Sequence, residues 1–170
     1  QYFWPIGNRY IFLFFSHTTG SQYLLGDYNK EEHCFYPTFH GRFNFMSFLP
    51  GGVHAPSATS DGKGGVIVIH NMHTGKKSPG WRGITTLPRK LTLDKCDTIN
   101  IQPYGDYKSL RTHHQHIDKT HLPANKEIII DNIQGNALEI KAEINIKSSP
   151  MIEMNVLRSP DKEEFTSIKF

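Results

Sequence analysis

An all-β fold follows from three features of this sequence. Short runs rich in Val, Ile, Phe, Tyr and Thr recur along the chain, each closed by Gly, Pro, Asn or Asp. Several of these runs alternate apolar and polar residues, the period of two that a half-buried strand requires. No stretch of useful length repeats its apolar residues at the helical period.

Taken in order, Pro5, Ile6, Gly7 and Asn8 read as a turn, and residues 9–16 form a continuous apolar run of strand length. Such a run suits a strand buried on both faces. A turn at residues 17–20 leads to a second strand at residues 21–28, so the two make a hairpin. A polar loop follows at residues 29–34. Phe43 and Phe45 then alternate with polar neighbours as a short half-buried strand, and Pro50, Gly51 and Gly52 break the chain. Residues 53–59 and 66–72 are β-prone runs on either side of Asp61 and Gly62, a hairpin signal in which Asp61 serves the turn.

The stretch from Gly80 to Leu93 reads as a strand, a stop and a second strand. Trp81, Ile84, Thr85, Thr86 and Leu87 are β-formers, Pro88 removes a ladder donor, and the alternation resumes at Leu91. Residues 97–102 alternate as a further strand. Beyond Arg111 the texture changes. Residues 113–116 and 122–125 are linker-like, and strands are expected at residues 127–133, 137–146 and 151–158. Two domains are therefore expected, residues 1–111 and residues 112–170.

Composition narrows the functional classes. Aromatic residues make up 12% of the 170, which suits an ordered core rather than a disordered chain. The 19 basic and 16 acidic residues are interspersed and leave a net charge of +3, a soluble surface and not a nucleic-acid footprint. The apolar stretch at residues 10–15 is far too short to span a membrane, so no membrane partner is expected. Cys34 and Cys96 lie in separate segments without metal-ligand spacing and are read as two free thiols. The chain opens on Gln1 and closes at Phe170 inside a strand-like pattern, and both ends read as cut, which leaves localisation open.

Four short motifs occur in sequence: Pro5, Ile6 and Gly7; His54, Ala55 and Pro56; Trp81, Arg82 and Gly83 running on to Leu87, Pro88 and Arg89; and Ser109, Leu110 and Arg111. In that order and spacing the chain resembles glycoside hydrolase family 32, the β-fructofuranosidases (invertase, sucrose-6-phosphate hydrolase, inulinase and levanase). Tyr23 to Tyr28 and Gly41-Arg42 fit the same series, and residues 135–140 resemble the start of the family's C-terminal sandwich. The resemblance implies the last blades of a five-bladed β-propeller in residues 1–111, followed in residues 112–170 by the first strands of a β-sandwich. It implies a parent enzyme that hydrolyses terminal β-D-fructofuranosyl bonds of sucrose or a fructan, with its catalytic carboxylates upstream of Gln1. No cofactor and no metal are implied, and this chain alone is expected to be inactive. The family's pocket-lining aromatic and tryptophan positions fall on His54 and Asn71, so the resemblance implies that these two contact the sugar. A non-catalytic carbohydrate-binding protein on the same scaffold and a fructosyltransferase are the alternatives, and oligomeric state stays open.

The residues themselves supply no catalytic pair. Retaining glycosidases need two carboxyl groups about 5–5.5 Å apart. Glu31 with Glu32, Asp94 with Asp97, and Asp161 with Glu163 and Glu164 all sit in polar loop text and read as solvated surface. His113, His114 and His116 lack supporting Cys, Asp or Glu ligands, with only His121 nearby, and read as an exposed linker. Trp81 and Arg82 are expected to be packing and framework groups. Gly51-Gly52 and Gly64-Gly65 open no helix, so no phosphate loop fits.

Overall fold

The computed structural model describes residues 1–44, 52–73, 80–81, 83–146 and 149–170. Phe45, Pro50, Gly51, Arg82 and most of the loop at residues 73–79 lie outside the described residues, as do Lys147 and Ser148. The protein is all-β: its described residues form antiparallel sheets and one four-residue 3₁₀ turn at Tyr107–Leu110. None of its described helices is long and apolar enough to cross a membrane. The chain divides into two compact units, Gln1–Tyr107 and Lys108–Phe170.

The first sheet is a meander of β1 (Tyr2–Ile6), β2 (Arg9–Ser16), β3 (Gly20–Asn29) and β4 (Cys34–Arg42), in that spatial order. The turn expected at Pro5 to Asn8 shrinks to two residues, because Pro5 and Ile6 pair with Tyr10 and Arg9 as the end of β1. Proline is tolerated there because β1 is an edge strand, where a missing ladder donor costs little. Gly7 takes the first turn position at φ 58°, a conformation that glycine adopts without a Cβ penalty. The strand expected around Phe43 instead spans Cys34–Arg42 and ends one residue before it. Pro37 sits inside this second edge strand, beside a bulge between Leu25 and Gly26.

Period-two alternation sends Ile11 and Leu13 of β2 to one face, where both are fully buried. Tyr10, Phe12 and Phe14 point to the other face and are only half-buried, so β2 is not covered equally on both sides as its apolar run suggests. These outer rings pack on one another across the sheet: Phe3 lies 5.3 Å from Tyr10, 5.4 Å from Tyr28 and 5.1 Å from Phe35 between ring centroids.

The second sheet comprises β5 (Gly52–Ser60), β6 (Val66–His73), β7 (Ile84–Thr85), β8 (Arg89–Leu93) and β9 (Ile99–Pro103). Its main order is β5-β6-β8-β9, and β7 also pairs with β6. One edge of β6 is thus shared: Val66 to Val68 pair with β8, while Asn71 and Met72 pair with β7. Pro88 falls in the gap between the two short strands, the stop that its missing N–H predicts.

The core lies between the two sheets. Ile6, Ile11, Leu13 and Leu25 from the first meet Val66, Val68 and Leu91 from the second, all nearly or fully inaccessible. Burying a side chain of this size contributes about 1.5–3 kcal/mol, so these seven dominate the cohesion of the unit. The Trp4 indole N–H donates to the Ala58 carbonyl (3.2 Å), and the Gly7 N–H to the Gly64 carbonyl (2.8 Å), tying β1 to the second sheet.

In the second unit, β10 (Glu153–Val156) and β11 (Thr166–Lys169) form an antiparallel hairpin. Residues 127–133 and 137–146 do not form the expected strands. Their alternation is present, but among the described residues no ladder partner lies beside them, and Ile129 and Leu138 are exposed. A period-two pattern marks a chain fit for a half-buried sheet; the ladder itself needs a neighbouring strand. Arg111 grips Glu139 through two hydrogen bonds (2.7 and 2.5 Å), and Glu127 pairs with Lys162.

Candidate functional site

The hairpin of β5 and β6 places His54 directly opposite Asn71. A bulge between His54 and Pro56 makes this local geometry. Ala55 is the extra residue, held at φ 44°, and the strand bends where a bulge commonly re-aims a side chain. His54 Nδ1 lies 3.4 Å from the Asn71 carbonyl oxygen. The two positions singled out by resemblance are therefore neighbours in the fold. The Asn71 side chain is exposed, whereas its neighbours His70 and Met72 point away from it along the pleat.

The structure adds aromatic groups that the local sequence did not announce. His73, two residues beyond Asn71 on the same face, sets its ring edge-on to His54 with centroids 4.6 Å apart. From the first sheet comes Phe15, whose ring lies 5.7 Å from His54 and 5.3 Å from His17, edge-on to both. Phe15 continues the row of Ile11 and Leu13, so the core-facing side of β2 runs out at its end into this surface cluster. The result is an apolar ring edge bordered by imidazoles, with the exposed Asn71 opposite His54 on the adjacent strand. Such a surface can donate and accept hydrogen bonds and offer an apolar contact to a polyhydroxylated ligand.

The carboxylates are engaged elsewhere. Asp61 is buried in the β5–β6 turn, where it accepts the N–H groups of Lys63 (2.7 Å) and Gly65 (2.8 Å) and lies 2.6 Å from Lys90 Nζ. The Lys90 hydrogen bond, seconded by the two backbone donors, holds its carboxyl down to about 2. Asp94 accepts the N–H groups of Cys96 (2.8 Å) and Thr98 (2.9 Å) and so closes the β8–β9 turn. Asp27 and Asp97 both lie on Arg9. Glu32 accepts the Tyr36 hydroxyl at 2.7 Å. Each of these acids has a structural partner, and no catalytic role is assigned.

Trp81 departs from its expected packing role: it is 49% exposed. Cys34 and Cys96 are free and exposed. His113, His114, His116 and His121 lie on exposed chain outside any strand, and His116 Nε2 approaches the Asp118 carboxylate at 3.5 Å. Among the described residues no three His, Cys, Asp or Glu side chains come together in a way that would hold a metal ion.

Fold and site together define an all-β unit of two packed antiparallel meanders, with an aromatic and imidazole cluster where β2, β5 and β6 meet. Compared with models of known protein families and with curated proteins, the chain matches none.

Proposed function

We propose that this chain is a segment of a retaining glycosidase acting on terminal β-D-fructofuranosyl bonds of sucrose or a fructan. The observation that carries the reading is the ordered series of motifs at Pro5 to Gly7, His54 to Pro56, Trp81 to Arg89, and Ser109 to Arg111. Two consecutive antiparallel sheets, one of four strands and one of five, packed face to face support it, since a propeller is built by repeating small sheets of this kind. In this reading residues 1–111 supply the last blades of the propeller and residues 112–170 the first strands of a sandwich. The chain's own residues serve the sugar: His54 and the Asn71 amide hydrogen-bond its hydroxyls, and Phe15 backs its apolar face. Bond cleavage belongs to an aspartate nucleophile and a glutamate acid/base carried upstream, acting by double displacement.

A second reading is a non-catalytic carbohydrate-binding protein on the same scaffold, which needs no carboxylate beyond those this chain carries. The carboxylates nearest the two meanders' turns are tied to Arg9, Lys90 and backbone N–H groups rather than left to act on a substrate. The intact mass of the native polypeptide that contains residues 80–93, measured together with release of fructose from sucrose and inulin, separates the two. A species near 50–60 kDa, the rough size of a propeller plus a sandwich, that releases fructose supports the glycosidase. A species at 19.5 kDa without hydrolysis overturns it, and sugar binding by that species establishes the second reading.

A further inference from the structure

His70 is the one histidine of the two-sheet unit that the candidate sugar site does not reach and the core encloses. It follows Val66 and Val68 on the inward row of β6 and is 1% exposed. Among the described residues neither ring nitrogen has a hydrogen-bond partner. Its ring packs on Phe43 with centroids 4.9 Å apart, and Phe43 in turn packs on Tyr23 at 5.2 Å. Phe43 is anchored by its N–H to the Ser21 carbonyl (3.0 Å), and among the described residues the buried Ser21 hydroxyl likewise has no partner.

The backbone holds the ring in place. The His70 N–H donates to Thr86 Oγ1 (3.0 Å), and its carbonyl accepts the Thr86 N–H (2.8 Å). The imidazole cannot swing out to water without disturbing the junction where β6 changes partner. Of the strands packed against β6, β8 brings Arg89 and Lys90, β5 brings His54, β1 brings Tyr2, and β7 brings no ionisable group. Tyr23 of β3 stands behind Phe43. Lys90 is occupied by Asp61, and the Arg89 guanidinium is the charge that bears on the ring. A proton added to this imidazole would therefore meet a like charge and find no acceptor, the costliest state for a buried group.

We propose that His70 is an acid-sensitive latch between the two sheets: neutral, it lets them close over it, and protonated, it forces the Phe43 side of the interface open. Burial, helped by Arg89, pushes the imidazole down from 6.5 to about 4. Between those two values the unfolded or opened chain binds the proton that the closed one refuses. Stability is complete above about pH 6.5, falls as the pH drops, and levels off below about 4.

The test is denaturant unfolding of the full chain in dilute solution from pH 7.5 to 4.5, beside the His70→Leu and His70→Gln variants. The native chain should lose on the order of fifty- to a hundredfold in its folding equilibrium over that range, and both variants should lack that component. Variants with an unchanged pH profile overturn the proposal. Because either variant can fail to fold, a second measurement uses the native chain alone. Amide hydrogen exchange at His70, Thr86 and Phe43 should rise on acidification before exchange at Leu13 or Leu25. An NMR titration in which the His70 ring protonates near pH 6.5 while these amides stay protected overturns the latch.

Discussion

Arg9 Nη1 lies 2.5 Å from Asp97 Oδ2, an ion pair that spans 88 residues and ties the start of β2 to the β8–β9 turn. The same guanidinium contacts Asp27 Oδ1 at 2.8 Å and donates to Thr38 Oγ1 at 2.5 Å. It therefore joins three strands of the first sheet to the second sheet. Asp97 holds its place at φ 59°, a left-handed conformation that the contact helps to fix. Arg9 is largely buried while Asp97 is partly open to water, so the pair is worth more than a surface bridge but is screened in part. A double-mutant cycle of Arg9→Met and Asp97→Asn should return a coupling of about 1 kcal/mol in urea unfolding. Additive losses would show that the contact does not hold the sheets together.

Asp61 makes the complementary case of a carboxylate held by two backbone donors of its own turn and by Lys90 of β8. Its lowered protonation range, from 3.8 to about 2, means that it contributes fully above about pH 3.8 and loses that contribution as the pH falls through about 2. Asp61→Asn should be less stable than the native chain at neutral pH. The stability gap between the two proteins should then close as acid is added between about pH 4 and 2. Urea midpoints for both proteins across that window check this, and a gap that stays constant refutes the role of the Lys90 pair.

Gly26 reads a different constraint, close approach rather than charge. A Cβ at this position would sit 2.2 Å from the Tyr36 carbonyl oxygen and 2.8 Å from Pro37 Cα, both backbone atoms of the adjacent β4. The bulge at Leu25 and Gly26 brings the two strands together there, and backbone cannot yield as a side-chain tip does. Gly26→Ala is expected to cost roughly 1–3 kcal/mol and to loosen β4 selectively. Thermal melting gives the first quantity, and faster amide exchange at β4 than at β2 gives the second.

Much of the first unit was legible because its signals are local. Alternation, Asp61 with Gly62, and the stop at Pro88 specify hairpins without knowledge of what packs behind them. β1 is hidden in the sequence because Pro5 reads as a turn residue until its strand is known to be an edge. β4 begins earlier than its alternation suggests because Pro37 masks a strand that tolerates it for the same reason. Residues 127–133 and 137–146 show the opposite failure, a strand pattern without a partner. At the site, resemblance pointed to His54 and Asn71, and the register sets them opposite each other. Phe15 and His17 escaped because they come from another sheet, and periodicity within one strand does not say which strand ends will meet. The buried His70 was equally hidden: its row with Val66 and Val68 is visible in the alternation, but its lack of a partner is a tertiary fact.

The cluster at the end of β2 leads to the last prediction. If His54 hydrogen-bonds a sugar hydroxyl while Phe15 backs the ring, each contributes by a different interaction, and their losses should differ in kind. His54→Ala removes an imidazole donor and acceptor and should weaken β-fructoside binding about tenfold, the usual worth of one hydrogen bond to a ligand. Phe15→Ala removes apolar contact as well as the edge that steadies His54 against His73, so it should cost at least as much. Asn71→Ala spares the carbonyl that His54 faces and should affect only the amide's own contact, a smaller loss. Saturation-transfer NMR with sucrose and a short inulin oligomer, on native and variant chains with matched melting curves, measures all three. Equal binding by the three variants and the native chain would remove this surface from the sugar site and leave His54 as a strand residue that a bulge has turned outward.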